Sequence, residues 1–372
     1  MLKSPTLFPF FLLLLLGLAY CNPAERKGNG LEYELIKLDS FQVSHTGELH
    51  GITFHDNEGI LYNFRKGSFI RFNVEGEILH EKEIPVEGAN SISYVGGLKM
   101  TSDGLTYLQS LKGEIGILDE ELNLIKKIQM PFAPSLSDLR SNVKSMDVAE
   151  DKVYVYFPGR DGTNPYEKGF FKKNHLLERV DMNTGESLPF LRLAEMSKYQ
   201  EDLYFEHPFV FLSIHDDKLH FAFDNEPIIF VYLLEDGAFL EAIPLEASTF
   251  IELEGQFLPL DQNKLKIAGM IDGLYAFENG FAVNYIEGIS ENTFLENQGN
   301  DPSLYTNLQN HILKVYNDEK GWSNEIILPK DISYLLDFNS PEEEFYALKN
   351  EGRLEENRST LTFYKMKLSK LK

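Results

Sequence analysis

Two histidine–aspartate groups stand out as side chains that could do chemistry. LHGITFHDNEG carries His50, His55 and Asp56, and SIHDDKLHF carries His215, Asp216, Asp217 and His220. An imidazole beside a carboxylate can hold a divalent metal. The spacing argues against it. His50 and His55 are five apart on a strand-like run, and a strand alternates sides with a period of two, so the pair points to opposite faces. His215 to Asp217 read as a tight, exposed turn. The string DMNTGE, residues 181–186, offers oxygens but lacks the ligand order and distal Glu of a calcium loop, and it reads as a hairpin turn. The HExxH, GxSxG, phosphate-loop and dinucleotide patterns are absent. The expectation is therefore no metal and no cofactor.

A second set of polar and aromatic residues recurs at one place in each of several repeated units. It comprises Arg65, Lys112, the group Arg160, Asp161 and Tyr166, the group Asp224, Asn225 and Glu226, and Tyr285. A guanidinium can fork onto a carboxylate, and a tyrosine ring can stack on a sugar or a peptide plane. Together they would suit a polar ligand, a glycan or a protein loop. They can act together only if the fold brings them onto one face.

The repeats say how it would. FIRFNVEGEILHEKEIP, EIGILDEELNLIKKIQMP, LLERVDMNTGESLPFLRL, IIFVYLLEDGAFLEAIPL and ILKVYNDEKGWSNEIILP each read as a strand, a tight turn and a second strand. Gly, Asn and Asp supply the positive φ and the side-chain bonds that hairpin turns demand. Two further strand-like runs precede each of the first four hairpins, such as LHGITF and GILYNF before the first. Four strands per unit, at roughly 45 to 60 residues, is the pattern of β-propeller blades, which bury their faces only by stacking on neighbours. Blades are expected to begin near Leu49, Ser93, Val143, Phe209, Phe257 and Tyr334. The last has three obvious strands, and LEYELIKLDSF at residues 31–41 has no partner. It can complete that blade and close the ring. The reading is all-β: a single propeller over residues 31–372, six blades, with seven as the alternative count. The recurring polar residues fall in the loops between second and third strands, on one face beside the axis. The longest early loop is PGRDGTNPYEKG, residues 158–169, and long loops often carry function.

Composition narrows the partners. Hydrophobic residues make up 43%, enough for a sizeable core. Asp and Glu number 58 against 35 Lys and Arg, a net charge of -23, which repels the phosphates of nucleic acid. Nucleic-acid binding is set aside.

The N-terminus points to an address. Lys3 precedes an apolar run of about a dozen residues from Leu7 to Leu18, short of the roughly 20 needed to span a bilayer and proportioned like a signal peptide. Leu18-Ala19-Tyr20-Cys21 follows, with the only cysteine of the chain, so no internal disulfide is possible. This segment resembles the bacterial lipobox, with Tyr20 where a small residue is usual. The resemblance implies that residues 1–20 are removed and that Cys21 is acylated and inserted in the bilayer. Asn22 to Gly30 read as a polar tether, making residues 21–30 a flexible connection. An acylated cysteine followed by an acidic propeller resembles the Bacteroidetes-type six-bladed propeller lipoproteins. The resemblance covers the whole chain and implies an envelope location, with the outer membrane expected. The function expected is binding of an envelope protein, a glycan or another polar ligand, not catalysis. The alternative is a metal-dependent propeller hydrolase or lactonase.

Overall fold

The structure, a computed structural model, describes residues 31–371 apart from 45–48, 65, 89, 93, 136–143, 206–207, 258–266, 298–304 and 351–359. Six antiparallel sheets follow one another around a ring. The outer strand of the last blade comes first in the chain, as β1 (Tyr33–Ser44). Blade one holds β2 (Leu49–His55), β3 (Glu58–Asn63), β4 (Ser68–Asn73) and β5 (Ile78–Glu83). Blade two holds β6 (Val95–Met100), β7 (Thr106–Ser110), β8 (Glu114–Leu118) and β9 (Leu124–Gln129). In blade three come β10 (Met146–Ala149), β11 (Lys152–Val155), β12 (Leu177–Asp181) and β13 (Ser187–Phe190). Blade four contains β14 (Val210–His215), β15 (Lys218–Phe223), β16 (Ile228–Leu233) and β17 (Phe239–Pro244). Blade five has β18 (Met270–Phe277), β19 (Gly280–Ile286), β20 (His311–Asn317) and a split outer strand, β21 (Gly321–Trp322) and β22 (Ile326–Ile327). Blade six runs β23 (Ile332–Leu336), β24 (Glu344–Lys349) and β25 (Thr360–Lys370), with β1 paired to β25.

Each chain segment forms its hairpin for a local reason. The turns joining first and second strands put Asp56, Glu150, Asp216 and Asn279 at φ between 51 and 63° in four different blades, and Asp and Asn tolerate this region best among non-glycine residues. In the 181–186 turn the Asp181 carboxylate accepts from the Asn183 and Thr184 N–H groups, at 2.9 and 2.8 Å, and Gly185 takes φ 77°. That string is the hairpin turn its sequence suggests.

Middle strands are buried on both faces, as in β3, β7 and β16, whereas outer strands such as β5 are almost wholly exposed. Six apolar clusters result, one at each junction between neighbouring blades. The cluster that joins blade six to blade one is aromatic. Phe41 of β1 stacks on Phe363 at 5.1 Å, and Phe54, Phe72 and Tyr346 pack around them. Each such side chain, fully buried, contributes about 1.5–3 kcal/mol.

Ring closure is therefore as expected, and the outer strand of blade five is built to assist it. Its break at Ser323–Glu325 turns Asn324 toward the start of β1. Asn324 Oδ1 accepts from the Tyr33 N–H at 2.7 Å, Nδ2 donates to the Tyr33 carbonyl at 3.0 Å, and the Asn324 N–H donates to the Leu31 carbonyl at 3.1 Å. One expectation is corrected. Blade five begins at Met270, not near Phe257, which is 82% exposed and so cannot belong to an inner strand.

Candidate functional site

Two regions collect polar side chains: the loop face, where second strands turn into third, and the channel along the ring axis. On the loop face, the sequence-derived set divides into side chains that reach solvent and side chains that hold the loops down. Arg160 forks onto Glu178, with Nε at 2.8 Å from Oε1 and Nη2 at 2.6 Å from Oε2, donates to the Ser187 carbonyl at 3.0 Å, and lies over the Phe132 ring. Its guanidinium therefore closes its own blade. Asp224 accepts from the N–H groups of Phe209 and Asn225. Asn225 donates through Nδ2 to the carbonyls of Ile251 and Gly269, at 3.1 and 2.6 Å, and its Oδ1 accepts from Leu253 N–H at 2.7 Å. Glu226 is buried and accepts from Lys198 N–H at 2.7 Å and from the Ser197 hydroxyl at 2.8 Å. Burial pushes its carboxyl above the usual carboxylate range against the pull of these donors. The Lys198 ammonium donates to the Asn225 carbonyl and pairs with Glu252 at 3.3 Å. Tyr285 is fully buried, and its hydroxyl donates to Glu325 at 2.8 Å.

The outward members of the set are Lys112, Asp161 and Tyr166. Lys112 is exposed, with its ammonium 4.7 Å from the centre of the Tyr94 ring. Asp161 is exposed at φ 58°, and Tyr166 is 56% exposed. Arg65 and Cys21 lie outside the described residues.

The second region is the channel. Its wall comes from the inner strand of all six blades and encloses about 180 Å³. Lys99 on β6 pairs with Asp147 on β10 at 2.8 Å, and Asp147 also accepts from the N–H groups of Val148 and Ile214, both at 2.8 Å. Lys144, just before β10, sets its ammonium 4.1 Å from the centre of the Tyr275 ring. Desolvation and the neighbouring Lys99 bring the Lys144 ammonium down to about 8. Asp272 and Asp337 complete the polar lining. Asp337 is raised by burial, and its Oδ1 accepts from Asn339 at 3.0 Å. The two histidine–aspartate turns lie at one mouth, His55 3.7 Å from Asp56 and His215 3.6 Å from Asp216. Among the described residues, no three His, Cys, Asp or Glu side chains converge as metal ligands would. A sequence signal for the channel did exist: Lys99 and Asp147 are lone charges within otherwise apolar first strands, VGGLKM and MDVA.

Fold and sites together define a six-bladed β-propeller with a polar channel and a built-up loop face. Solved structures share this fold. A member of the DUF4221 family from Bacteroides vulgatus ATCC 8482 superposes with a TM-score of 0.62 at 11% identity, covering 92% of this chain and 100% of that one. A protein of Bacteroides fragilis NCTC 9343, described as a putative exported protein, superposes with a TM-score of 0.50 at 11% identity, covering 93% of this chain and 97% of that one. No family model matches the sequence, and no curated protein matches it.

Proposed function

We infer that this chain is an acyl-anchored, extracytoplasmic propeller that binds a polar ligand, glycan or protein partner on its loop face. One observation carries the reading. The blade-four loop and the connections on either side of it are fixed by a knot of Asn225, Glu226 and Lys198. A propeller needs no such knot to close its ring, whereas a recognition surface gains from being preorganised. Lys112, Asp161 and Tyr166 remain exposed on this face. The apolar N-terminal run and Cys21 support export and acylation, and one protein of the same fold is described as a putative exported protein. Two acyl chains or more give stable anchoring.

The start of β1 adds an orientation. Leu31 and Tyr33 lie beside Asn279, Asn339 and Glu342, on the face opposite the long loops. A tether of nine residues, 22–30, reaches about 30 Å at most. The loop face would then look away from the bilayer, toward partners. A metal-dependent hydrolase finds less support, because Lys99 and Lys144 are interleaved with the channel carboxylates.

The test has two parts. Cys21→Ser should move the protein from the membrane fraction to the soluble fraction. In a pull-down from envelope extract, Tyr166→Ala combined with Asp161→Ala should lose the partners that wild type retains, at an unchanged melting temperature. Equal recovery by both proteins would remove the loop face from consideration.

A further inference from the structure

We propose that the central channel is a second binding site, separate from the loop face, for a small oxyanion held by the Lys144 ammonium. Two cations face the cavity, and one of them is already committed. Lys99 is paired with Asp147, whose carboxylate is fixed by two backbone N–H groups. Lys144 has no carboxylate at ion-pair distance among the described residues, and its ammonium rests against the Tyr275 ring. That ring is a fixed wall, because its hydroxyl donates to the Leu335 carbonyl at 2.8 Å. A cation over an aromatic face is stabilised, but one drawn out of water still gains from a hydrogen-bonded anion.

The size and charge of the cavity set the ligand class. About 180 Å³ holds a carboxylate or a phosphate group with a few waters, each water taking roughly 30 Å³. Asp272 and Asp337 on the remaining wall repel extended polyanions. His55 and His215 stand at the mouth, where a ligand would enter. The depressed ammonium of Lys144 agrees with a cation held short of a partner, and an arriving anion would raise it.

The probes are acetate and inorganic phosphate, with chloride at matched ionic strength as the reference. The readouts are the NMR titration of the Lys144 side chain and the melting temperature. In wild type, acetate or phosphate should move the Lys144 midpoint upward by about half a pH unit or more and raise the melting temperature. A response to acetate marks a carboxylate site, and one to phosphate marks a phosphate site. Lys144→Met should lose the thermal response, Lys144→Arg should retain it, and Tyr166→Ala on the loop face should respond like wild type. The proposal falls if neither anion acts differently from chloride, or if a folded Lys144→Met protein responds in full. Neither result would bear on partner capture by the loop face.

Discussion

Glu226 illustrates how a residue type can be legible while its direction is not. Carboxylates in loops face solvent more often than protein, and nothing in the string DNEP says that Ser197 and Lys198 will come down onto this one. The same holds for Arg160, whose partner Glu178 lies 18 residues away, and for Asn225, which ties together segments 26 and 44 residues on. A partner that distant leaves no local trace in sequence. Glu226→Ala strands the Lys198 N–H and the Ser197 hydroxyl, and should cost about 1.5–3 kcal/mol of stability by urea unfolding. Glu226→Gln keeps an acceptor and should cost less. Because the folded state raises the Glu226 carboxyl above 4.5, the folded protein binds the proton more tightly. The contribution of this group is complete below pH 4.5 and declines as pH rises through the raised value. Subtracting the Glu226→Gln stability curve from that of wild type should expose this fall. A flat difference would show that Glu226 titrates alike in both states.

At the scale of elements, hairpins were readable because each encodes its turn within a few residues. The third hairpin, with DMNTGE, and the fourth, with LLEDGAF, form as their turn chemistry dictates. The start of blade five was not readable. The stretch before Met270 alternates apolar and polar residues as a strand does, yet Ile251 and Leu253 are held by bonds to Asn225 in the blade-four loop. Alternation reports half-burial and cannot say which sheet, if any, will accept the segment. Asn324 belongs to this scale too, since a split outer strand is what frees it to bind β1. Replacing Asn324 with Ala removes two side-chain bonds to the Tyr33 backbone. It should cost about 1–2 kcal/mol and speed hydrogen exchange at Tyr33 more than at residues of blade three. Uniform exchange across the ring would show that Asn324 does not act as a local latch.

For the whole molecule, stability depends on a ring without a free junction. Removing β1 would expose β25 as an unpaired edge and uncover the aromatic cluster around Phe363. Deletion of residues 31–44 should therefore lower the melting temperature of the entire domain, whereas deletion of 22–30 should leave it unchanged. If the two deletions melt alike, β1 contributes nothing to closure. Fold class was legible at this scale because four-stranded units recur along the chain. The channel was legible only in part: Lys99 and Asp147 mark its wall as lone charges in apolar strands, but its enclosure is a property of six strands brought together.

The pairing of β1 with β25 also sets a clock. Gln42 Nε2 donates to Thr362 Oγ1 across 320 residues of chain. At a synthesis rate of about 5–20 residues per second, the strand made first waits roughly 15–65 s for its partner. Through that interval the ring stays open, with the Phe41 side of the last junction uncovered. A chain that cannot lock until β25 arrives remains threadable, and under the export inferred above the strand that closes the ring would also delay folding until β25 has crossed.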